Sequence, residues 1–486
     1  MHRVKVGAVL IALVCSLGRA EVRSRPNVLM IVSEDHCPNL GCYGDRTVGT
    51  PRLDGLAAEG VRFARAYVTQ AGCSQSRSSI LTGLYPHQNG QIGLATHKYT
   101  MIRKDTPNLP ALLRAAGYRT GIIGKLHVNP PSAFPFDFKW NDRKFISFGK
   151  RDVLRIAQVA AEFMTASQQP FFLSVNYPDA HVPYHRQQKG LPAKPLGPDD
   201  VSPLPWLPVD TPRVRKFLAN YYNCISRLDT GIGMLLDELE RSGKAERTLV
   251  VYLSDHGAQF SRGKMTNYEA GLRIPLIVRW PGRAKAGAVR DELVSTIDLM
   301  PTLLEATGVT QPKGLPGRSL LPLVRGRSVA WRDHLFAEYT MHSPATYFPR
   351  RSVRDDRYKL IVNLLQDRPN PLAEMYLQRG WDLTREALAQ VGPAFRPAWQ
   401  RFARPPAVEL YDLKEDPYEL RNLADKPEQA GTVKRLRDRL TAWQKRTADP
   451  LADPGKLDKL TREHDTLDPD YRKDADFRWQ YPTYLY

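Results

Sequence analysis

Three short apolar runs constrain the fold of this 486-residue chain more than any other feature of its sequence. They occupy residues 27–32, 170–175 and 248–253, and none of them alternates regularly between apolar and polar residues. A continuous run of this length is typical of a strand that is buried on both faces of a parallel sheet. Amphipathic segments at 53–63 and 217–239 have the spacing of helices. The alternation predicts an α/β fold, with a large, mostly parallel sheet sandwiched by helices.

Acidic and imidazole side chains follow each of the three runs. They are Glu34, Asp35, Asp179, His181, Asp255 and His256. The carboxyl ends of parallel strands meet at one edge of a sheet, where the sites of open α/β proteins form. One such acid alone is equally well a turn residue or a helix cap. Their repetition at three strand ends predicts a functional site.

Glu34, Asp35 and Asp255 together form an all-oxygen set that suits a hard cation such as Ca²⁺ or Mg²⁺. His256 is a further metal ligand or, alternatively, a hydrogen-bond donor to the substrate. The competing interpretation is that these carboxylates cap helices or pair with arginines.

A nucleophile and three cations complete the candidate site. Cys73 stands four residues before Arg77, in a run typical of a strand that leads into a helix, and a helix N-terminus favours an anionic substrate. Lys125 and His127 are two residues apart, a spacing that places both on one face of a strand. With Lys264, these cations would balance the charge of an oxyanion ester.

The character of the chain changes after about residue 340. Residues 351–361 have the pattern of a hairpin, 408–412 that of a strand, and 433–445 that of a basic amphipathic helix. We therefore predict a catalytic domain over 25–340 and a small α+β C-terminal subdomain over 341–486, ending in a wrapping tail.

Residues 1–20 are typical of a secretory signal peptide. Basic residues precede an apolar stretch over 6–17, and small residues stand at the cleavage position, Ala20. The stretch is too short to favour a membrane-spanning helix, although an uncleaved anchor is the alternative. We expect a periplasmic or secreted protein without a stable membrane anchor.

Net charge and cysteine content narrow the possible partners. The formal charge is +19, and about +16 remains without the leader, an excess that attracts polyanions. Export argues against nucleic acid and favours a sulfated or carboxylated polysaccharide, unless the basic surface merely reflects an arginine-rich composition. The four cysteines after the leader are too few for a disulfide framework, although Cys37 and Cys42 could pair.

The motifs as a set resemble the type I sulfatases of the alkaline phosphatase-like superfamily. Cys73 to Arg77, followed by Thr82 and Gly83, is similar to the family signature Cys-x-Pro-x-Arg, with Gln75 in place of the proline. Further segments occur in the family's order, and they are 27–35, 124–127, 254–257 with Lys264, and 410–423. The resemblance covers nearly the whole chain after the leader.

Several longer stretches resemble the branch of the family that hydrolyses N-sulfoglucosamine. They are 87–90, 119–125, 134–138, 351–353 and 443–450. This branch implies that the substrate is the N-sulfate of glucosamine in heparin or heparan sulfate, a sulfated glycosaminoglycan. We accordingly expect His87, Asp179 and Arg351 to bind substrate.

The resemblance also implies the cofactors. Cys73 would be oxidised to formylglycine by a formylglycine-generating or anaerobic maturation enzyme, and its hydrated aldehyde would be the nucleophile. One Ca²⁺ would be held by the modified Cys73 together with Glu34, Asp35, Asp255 and His256.

The remaining polar residues take roles by the same resemblance. Arg77 would orient the hydrated aldehyde, and Lys125 and Lys264 would neutralise the sulfo group. His181 would protonate the departing amine or oxygen, and His127 would take a proton as sulfate leaves.

Three departures from the family pattern leave alternatives open. Glu34 replaces an aspartate, His256 stands where asparagine is common, and Gln75 replaces the proline of the motif that maturation enzymes read. The alternatives are an O-sulfatase, a phosphodiester or phosphonate hydrolase of the same superfamily, and a non-catalytic glycan binder with an unmodified Cys73.

Overall fold

The first apolar run forms the middle of a large sheet in the computed structural model, which describes residues 25–366 and 368–486. The predicted signal peptide, 1–20, lies outside the described residues. In chain order, the strands of the described residues are β1 Asn27–Ser33, β2 Val61–Tyr67, β3 Arg119–Ile123, β4 Phe138–Trp140, β5 Ile146–Ser147, β6 Lys150–Arg151, β7 Phe171–Asn176, β8 Thr248–Ser254, β9 Arg273–Arg279, β10 Ala288–Arg290, β11 Val294–Ser295, β12 Leu335–Tyr339, β13 Arg350–Arg354, β14 Tyr358–Asn363 and β15 Val408–Asp412.

The α-helices separate and cover these strands. Within the same residues they are α1 Pro51–Glu59, α2 Cys73–Thr82, α3 Pro86–Asn89, α4 Leu109–Ala115, α5 Val153–Thr165, α6 Pro212–Arg241, α7 Glu269–Leu272, α8 Leu299–Thr307, α9 Leu321–Val324, α10 Pro371–Arg379, α11 Arg385–Gln390, α12 Phe395–Ala403, α13 Ala430–Thr447, α14 Pro454–Asp465 and α15 Tyr481–Leu485. The helix predicted over 217–239 is confirmed as part of α6.

The large sheet has nine strands in the order β10-β2-β9-β8-β1-β7-β3-β4, with β11 also paired to β2. β1 pairs in parallel with both β7 and β8, so Met30 lies opposite Ser174 on one side and Val251 on the other. Within the large sheet, β9 is the one described strand that runs antiparallel to both of its neighbours. The carboxyl ends of the three predicted strands therefore meet at one edge.

Alternate residues of β1 belong to two different hydrophobic cores. Leu29 and Ile31 pack in the core that includes α5 and α6, whereas Val28 and Met30 pack in the core that includes α4 and α8. Burial on both faces is the reason that the strand is apolar throughout. The prediction of a helix-covered, mostly parallel sheet is confirmed.

The smaller sheet consists of β12–β15 and is antiparallel throughout. α13 contains the basic helix predicted over 433–445 and covers the sheet with Leu436, Leu440 and Trp443. The first strand of this sheet, β12, precedes residue 340, where the sequence suggested a domain boundary.

The C-terminal tail docks through an aromatic cluster. Tyr99 stacks on Trp479 with ring centroids 4.4 Å apart, and the His464 ring lies 4.3 Å from that of Tyr347 and 5.0 Å from that of Trp479. The Tyr481 hydroxyl donates to the carbonyl of Thr100 at 2.7 Å. The last residues of the chain are thereby fixed beside the segment that follows α3.

Two local predictions are corrected by the structure. The helix expected over 53–63 ends at Glu59. Gly60 lies so close to the Val278 carbonyl that a Cβ would collide with it, and the residues after Gly60 pair with β9 as strand β2. Cys37 and Cys42 are free thiols and do not pair. None of the described helices is both long enough and apolar enough to cross a membrane.

Acid should loosen the docked tail through His464. Burial lowers the pKa of His464 to about 4 from the ordinary 6.5, while the Leu460 carbonyl accepts from its ring Nδ1 at 2.8 Å. Because the unfolded chain binds more protons between these pKa values, stability falls as the pH drops through that window. Between pH 7 and pH 5 this imidazole should remove about 1–2 kcal/mol from the free energy of unfolding.

The measurement is urea unfolding at both pH values, followed by tryptophan fluorescence, in the wild type and in His464→Gln. The variant should lose less stability on acidification than the wild type. Equal losses in the two proteins would show that His464 does not couple protonation to folding.

Candidate active site

Four side chains from separate elements meet at the carboxyl edge of the large sheet. Asp35 follows β1, Asp255 and His256 follow β8, and Cys73 is the first residue of α2. Their candidate ligand atoms lie within 4.8 Å of one another, and all four residues are buried. His256 Nε2 is 3.4 Å from Cys73 Sγ and 3.3 Å from Asp35 Oδ1.

This cluster fits a hard divalent cation. Two buried carboxylates supply oxygen donors, and uncompensated charges of this kind are costly to bury. Cationic side chains already sit against them, since Lys264 Nζ is 2.9 Å from Asp35 Oδ2 and Arg77 Nη2 is 3.0 Å from Asp255 Oδ2. The site therefore holds two carboxylate charges that have to be balanced by positive charge, from side chains or from a bound cation.

Glu34 does not belong to that cluster. Its Oε1 lies 3.2 Å from Arg77 Nη2 and its Oε2 lies 3.1 Å from Lys125 Nζ. The longer side chain carries this carboxylate to the two cations, and the expectation that Glu34 is a metal ligand stays a prediction.

Arg77 ties three strand ends together. Besides Asp255, its guanidinium donates to Asn176 Oδ1 at 2.7 Å and to the Lys125 carbonyl at 2.9 Å. Asn176 is the last residue of β7, and our sequence reasoning missed it. Its position directly after the second apolar run could have identified Asn176 as a site residue.

Cys73 lies where α2 begins, 1% exposed, with its thiol among cations. Burial alone would raise the pKa of this thiol, but Lys125 and Lys264 together hold the pKa of Cys73 well below its usual range. The site thus stabilises negative charge at the side chain of residue 73.

The Lys125–His127 segment is a loop rather than the strand that its spacing suggested, because β3 ends at Ile123. Gly124 has a φ of +86°, and a Cβ there would collide with the carbonyl oxygen of Asn176. Only glycine permits this close turn, which brings Lys125 and His127 to the site.

His127 has the properties of a neutral proton acceptor. Its Nδ1 is buried and has no partner among the described residues. Burial and the neighbouring Lys125 lower the pKa of His127. Its φ of +56° is unusual for a residue with a Cβ, and such strain persists only where the surroundings fix it.

His181 approaches the cluster from the β7 side. Its Nε2 is 3.9 Å from Asp35 Oδ2, and its Nδ1 donates to the Val182 carbonyl at 2.5 Å. Because a carbonyl can only accept, Nδ1 carries a hydrogen and Nε2 is the atom available to the site.

A cavity of about 550 Å³ opens above these groups. Cys73, Lys125, His127 and His181 line it, as does Glu34. Its other lining residues include several that sequence reasoning missed, and these are His97, Arg143, Phe148, His342 and Arg472. They come from four distant segments, so no local motif marks them.

His87 and Arg351 contact other side chains of the protein, and their substrate-binding role stays a prediction. His87 Nδ1 is 2.5 Å from Glu338 Oε2, and its ring packs against that of Trp443. Arg351 donates to both carboxylate oxygens of Asp449, at 2.7 and 2.8 Å. Both side chains are buried and neither lines the cavity, although His87 Nε2 has no hydrogen-bond partner among the described residues.

Asp179 is likewise paired within the protein, and its substrate-binding role also stays a prediction. Arg151 donates to its Oδ1 at 3.1 Å, and Arg227 donates to both of its oxygens, at 2.7 and 2.9 Å. All three side chains are fully buried. Asp179 therefore joins the β5–β6 hairpin, which carries Arg151, to α6, which carries Arg227.

Asp179→Ala should destabilise the protein strongly, because it leaves two guanidiniums buried without their counter-charge. We expect the free energy of unfolding to fall by about 3–5 kcal/mol, as measured by urea denaturation. Asp237→Ala, which removes an exposed partner of Arg52, is the matched control and should change little. A stable Asp179→Ala protein with only a raised KM would support the substrate-binding role.

Comparison with known proteins agrees with this geometry. The family model described as Sulfatase matches residues 26–309, and the model for N-sulphoglucosamine sulphohydrolase, C-terminal, matches residues 257–376. Human (Homo sapiens) N-sulphoglucosamine sulphohydrolase is 34% identical over 474 residues, which is 90% of this chain and 93% of the relative. An ulvan-active sulfatase from Formosa agariphila is 28% identical over 450 residues, covering 89% and 82% of the two chains.

The fold is also shared with a solved structure of different chemistry. The phosphonate monoester hydrolase of Silicibacter pomeroyi superposes with a TM-score of 0.64 at 23% identity, covering 87% of this chain and 96% of that one. The family model spans more than half of the chain, and the human relative aligns along nearly all of it. The chain belongs to the sulfatase family of enzymes.

Proposed function

We propose that this enzyme removes the N-sulfate of glucosamine from heparin or heparan sulfate fragments, in the periplasm or outside the cell. The observation that carries the proposal is Cys73 at the start of α2, among Asp35, Asp255 and His256. The relative named N-sulphoglucosamine sulphohydrolase, aligned over 90% of the chain, supports this substrate. The net charge of +19 suits a polyanionic glycan.

Two groups complete the site in this proposal. Asp35, Asp255 and His256, together with residue 73, would hold one Ca²⁺, and a maturation enzyme would convert Cys73 to formylglycine. When present, Ca²⁺ supplies Lewis-acid polarisation of the sulfo oxygens, and formylglycine supplies a hydrated aldehyde as the nucleophile.

The cations of the chain balance the charge of the sulfo group. Lys264 is 1% exposed and Lys125 is partly exposed to the cavity, so both interact with the substrate across a medium poor in water. Burial opposes the charge of both lysines. Asp35 raises the pKa of Lys264 in spite of this burial, and Cys73 and Glu34 raise the pKa of Lys125. Both side chains therefore remain cationic at neutral pH.

The two histidines move protons at opposite ends of the reaction. In its protonated form, His181 donates from Nε2 to the leaving nitrogen, while Nδ1 stays bound to the Val182 carbonyl. His127, whose pKa is lowered by burial and by Lys125, accepts a proton near residue 73 as sulfate departs. His127 suits the accepting role because burial and Lys125 favour its neutral form.

Gln75 bears on maturation. In the folded chain its side-chain amide donates to the carbonyls of Met341 at 2.6 Å and Ile92 at 3.2 Å, and the residue is fully buried. A maturation enzyme therefore has to act on residues 73–77 before this contact closes.

Sulfate release tests the function. The purified enzyme should desulfate N-sulfoglucosamine faster than 6-O-sulfated glucosamine, and both faster than a phosphonate monoester. Cys73→Ala should lower turnover at least about 1000-fold, because the nucleophile is removed while the fold remains. If the enzyme prefers the phosphonate ester, it is a phosphonate hydrolase instead, like the phosphonate monoester hydrolase that shares its fold.

Mass spectrometry of the natively expressed protein is the control for Cys73→Ala. Formylglycine should replace the thiol in the peptide that contains residue 73. An intact thiol in fully active protein would contradict the formylglycine mechanism, and an intact thiol in inactive protein would favour a glycan-binding role.

Asp255→Ala should weaken calcium binding by about 100-fold or more, since it removes one of two carboxylates from the cluster. The readout is the calcium-dependent rise in Tm, which reports binding without requiring activity. Asp356→Ala, which removes an exposed carboxylate paired with Arg65, is the control and should keep the wild-type calcium response. An unchanged response in Asp255→Ala would remove it from the ligand set.

A further inference from the structure

The cavity as a whole is larger than a sulfo group requires. At about 550 Å³ it falls in the range of pockets that enclose whole small ligands. The nucleophile and its cations occupy the buried base, whereas the mouth is formed by exposed side chains. These mouth residues have no role in the chemistry described above.

Phe148 stands at the mouth on the tip of the β5–β6 hairpin. It is 61% exposed, although it lines the cavity, and its ring centroid is 4.9 Å from that of His181. The hairpin tip is fixed, because the Phe148 carbonyl accepts from His185 Nε2 at 2.9 Å. A rigid aromatic ring that stays exposed beside a proton donor is suited to receive the flat face of a sugar.

The buried Arg151–Asp179–Arg227 set determines where this ring stands. Arg151 belongs to β6, and besides Asp179 it donates to the His181 carbonyl at 3.0 Å. The hairpin and His181 are thus held by the same guanidinium.

Two guanidiniums flank the same mouth. Arg143 precedes the hairpin and Arg472 belongs to the C-terminal tail, and both are exposed. Neither lies within 4.0 Å of a carboxylate in the part of the chain that the structure describes. Tyr471, next to Arg472, hydrogen-bonds to His97 and so fixes this part of the tail at the cavity.

We propose that Phe148, Arg143 and Arg472 form a subsite for a second, acidic sugar that adjoins the one carrying the reacting sulfate. The ring packs on the sugar face, and the guanidiniums bind its carboxylate or sulfate, an ion that arginine recognises through two parallel hydrogen bonds. The inference rests on the proposed function, because it requires a glycan substrate. It defines the substrate as an acidic oligosaccharide rather than a single sulfated sugar.

The test compares kcat/KM for a size-defined heparin tetrasaccharide with kcat/KM for N-sulfoglucosamine. Arg143→Ala and Arg472→Ala should each lower the ratio of the two values by about 10-fold, an effect that corresponds to one partly exposed charged contact. Phe148→Ala should lower the same ratio, and Phe148→Tyr, which keeps the ring, should restore it. Equal losses on both substrates would overturn the proposal.

Arg437→Ala is the matched control. Arg437 is an exposed arginine of α13 that does not line the cavity, so its removal changes the net charge equally. The tetrasaccharide advantage should persist in this variant. If Arg437→Ala lowers the ratio as much as Arg472→Ala does, general attraction of a polyanion explains the effect and the subsite is wrong.

A binding experiment separates failure of the subsite from failure of the proposed function. Calorimetry with Cys73→Ala and the tetrasaccharide requires no turnover. Weaker binding in Cys73→Ala/Arg472→Ala than in Cys73→Ala would support the subsite, even if the wild type releases sulfate from neither substrate. Equal affinity of the two proteins would overturn the subsite, whatever the wild type hydrolyses.

Discussion

The compensation of buried charge at one edge of the sheet is the constraint on which the rest of the molecule depends. Asp35, Asp255 and Glu34 lie where water cannot solvate them, and Arg77, Lys125 and Lys264 lie against them. Removing one partner leaves a buried charge that is less well compensated, which is costly. This mutual dependence fixes the relative positions of β1, β7, β8 and α2.

The second sheet and the tail contribute to the site from outside the large sheet. Gln75, in the first turn of α2, is bound to the Met341 carbonyl, and the adjacent His342 lines the cavity. The tail adds Arg472 to the mouth. The base of the cavity thus belongs to the large sheet, while its mouth combines the β5–β6 hairpin with residues of the C-terminal third of the chain.

Much of the fold and of the site's base could be predicted from sequence, since both follow local patterns. Apolar runs identify strands buried on both faces, and polar residues directly after them must share an edge. The pairing of Asp179 with Arg227 could not be predicted, because the two residues are remote in sequence. The residues at the mouth of the cavity were not predicted, because the sequence alone does not distinguish an exposed arginine such as Arg472 from other surface arginines.

The contacts of the tail also bear on the order in which parts of the chain fold. Tyr481 binds to Thr100, and Arg472 reaches a cavity whose nucleophile stands at residue 73, so these contacts span nearly the full length of the chain. Contacts so far apart in sequence close late in folding, because the intervening loop must first be ordered. We therefore expect residue 73 to be enclosed only after the tail has docked. Until that point its side chain is open to chemical conversion.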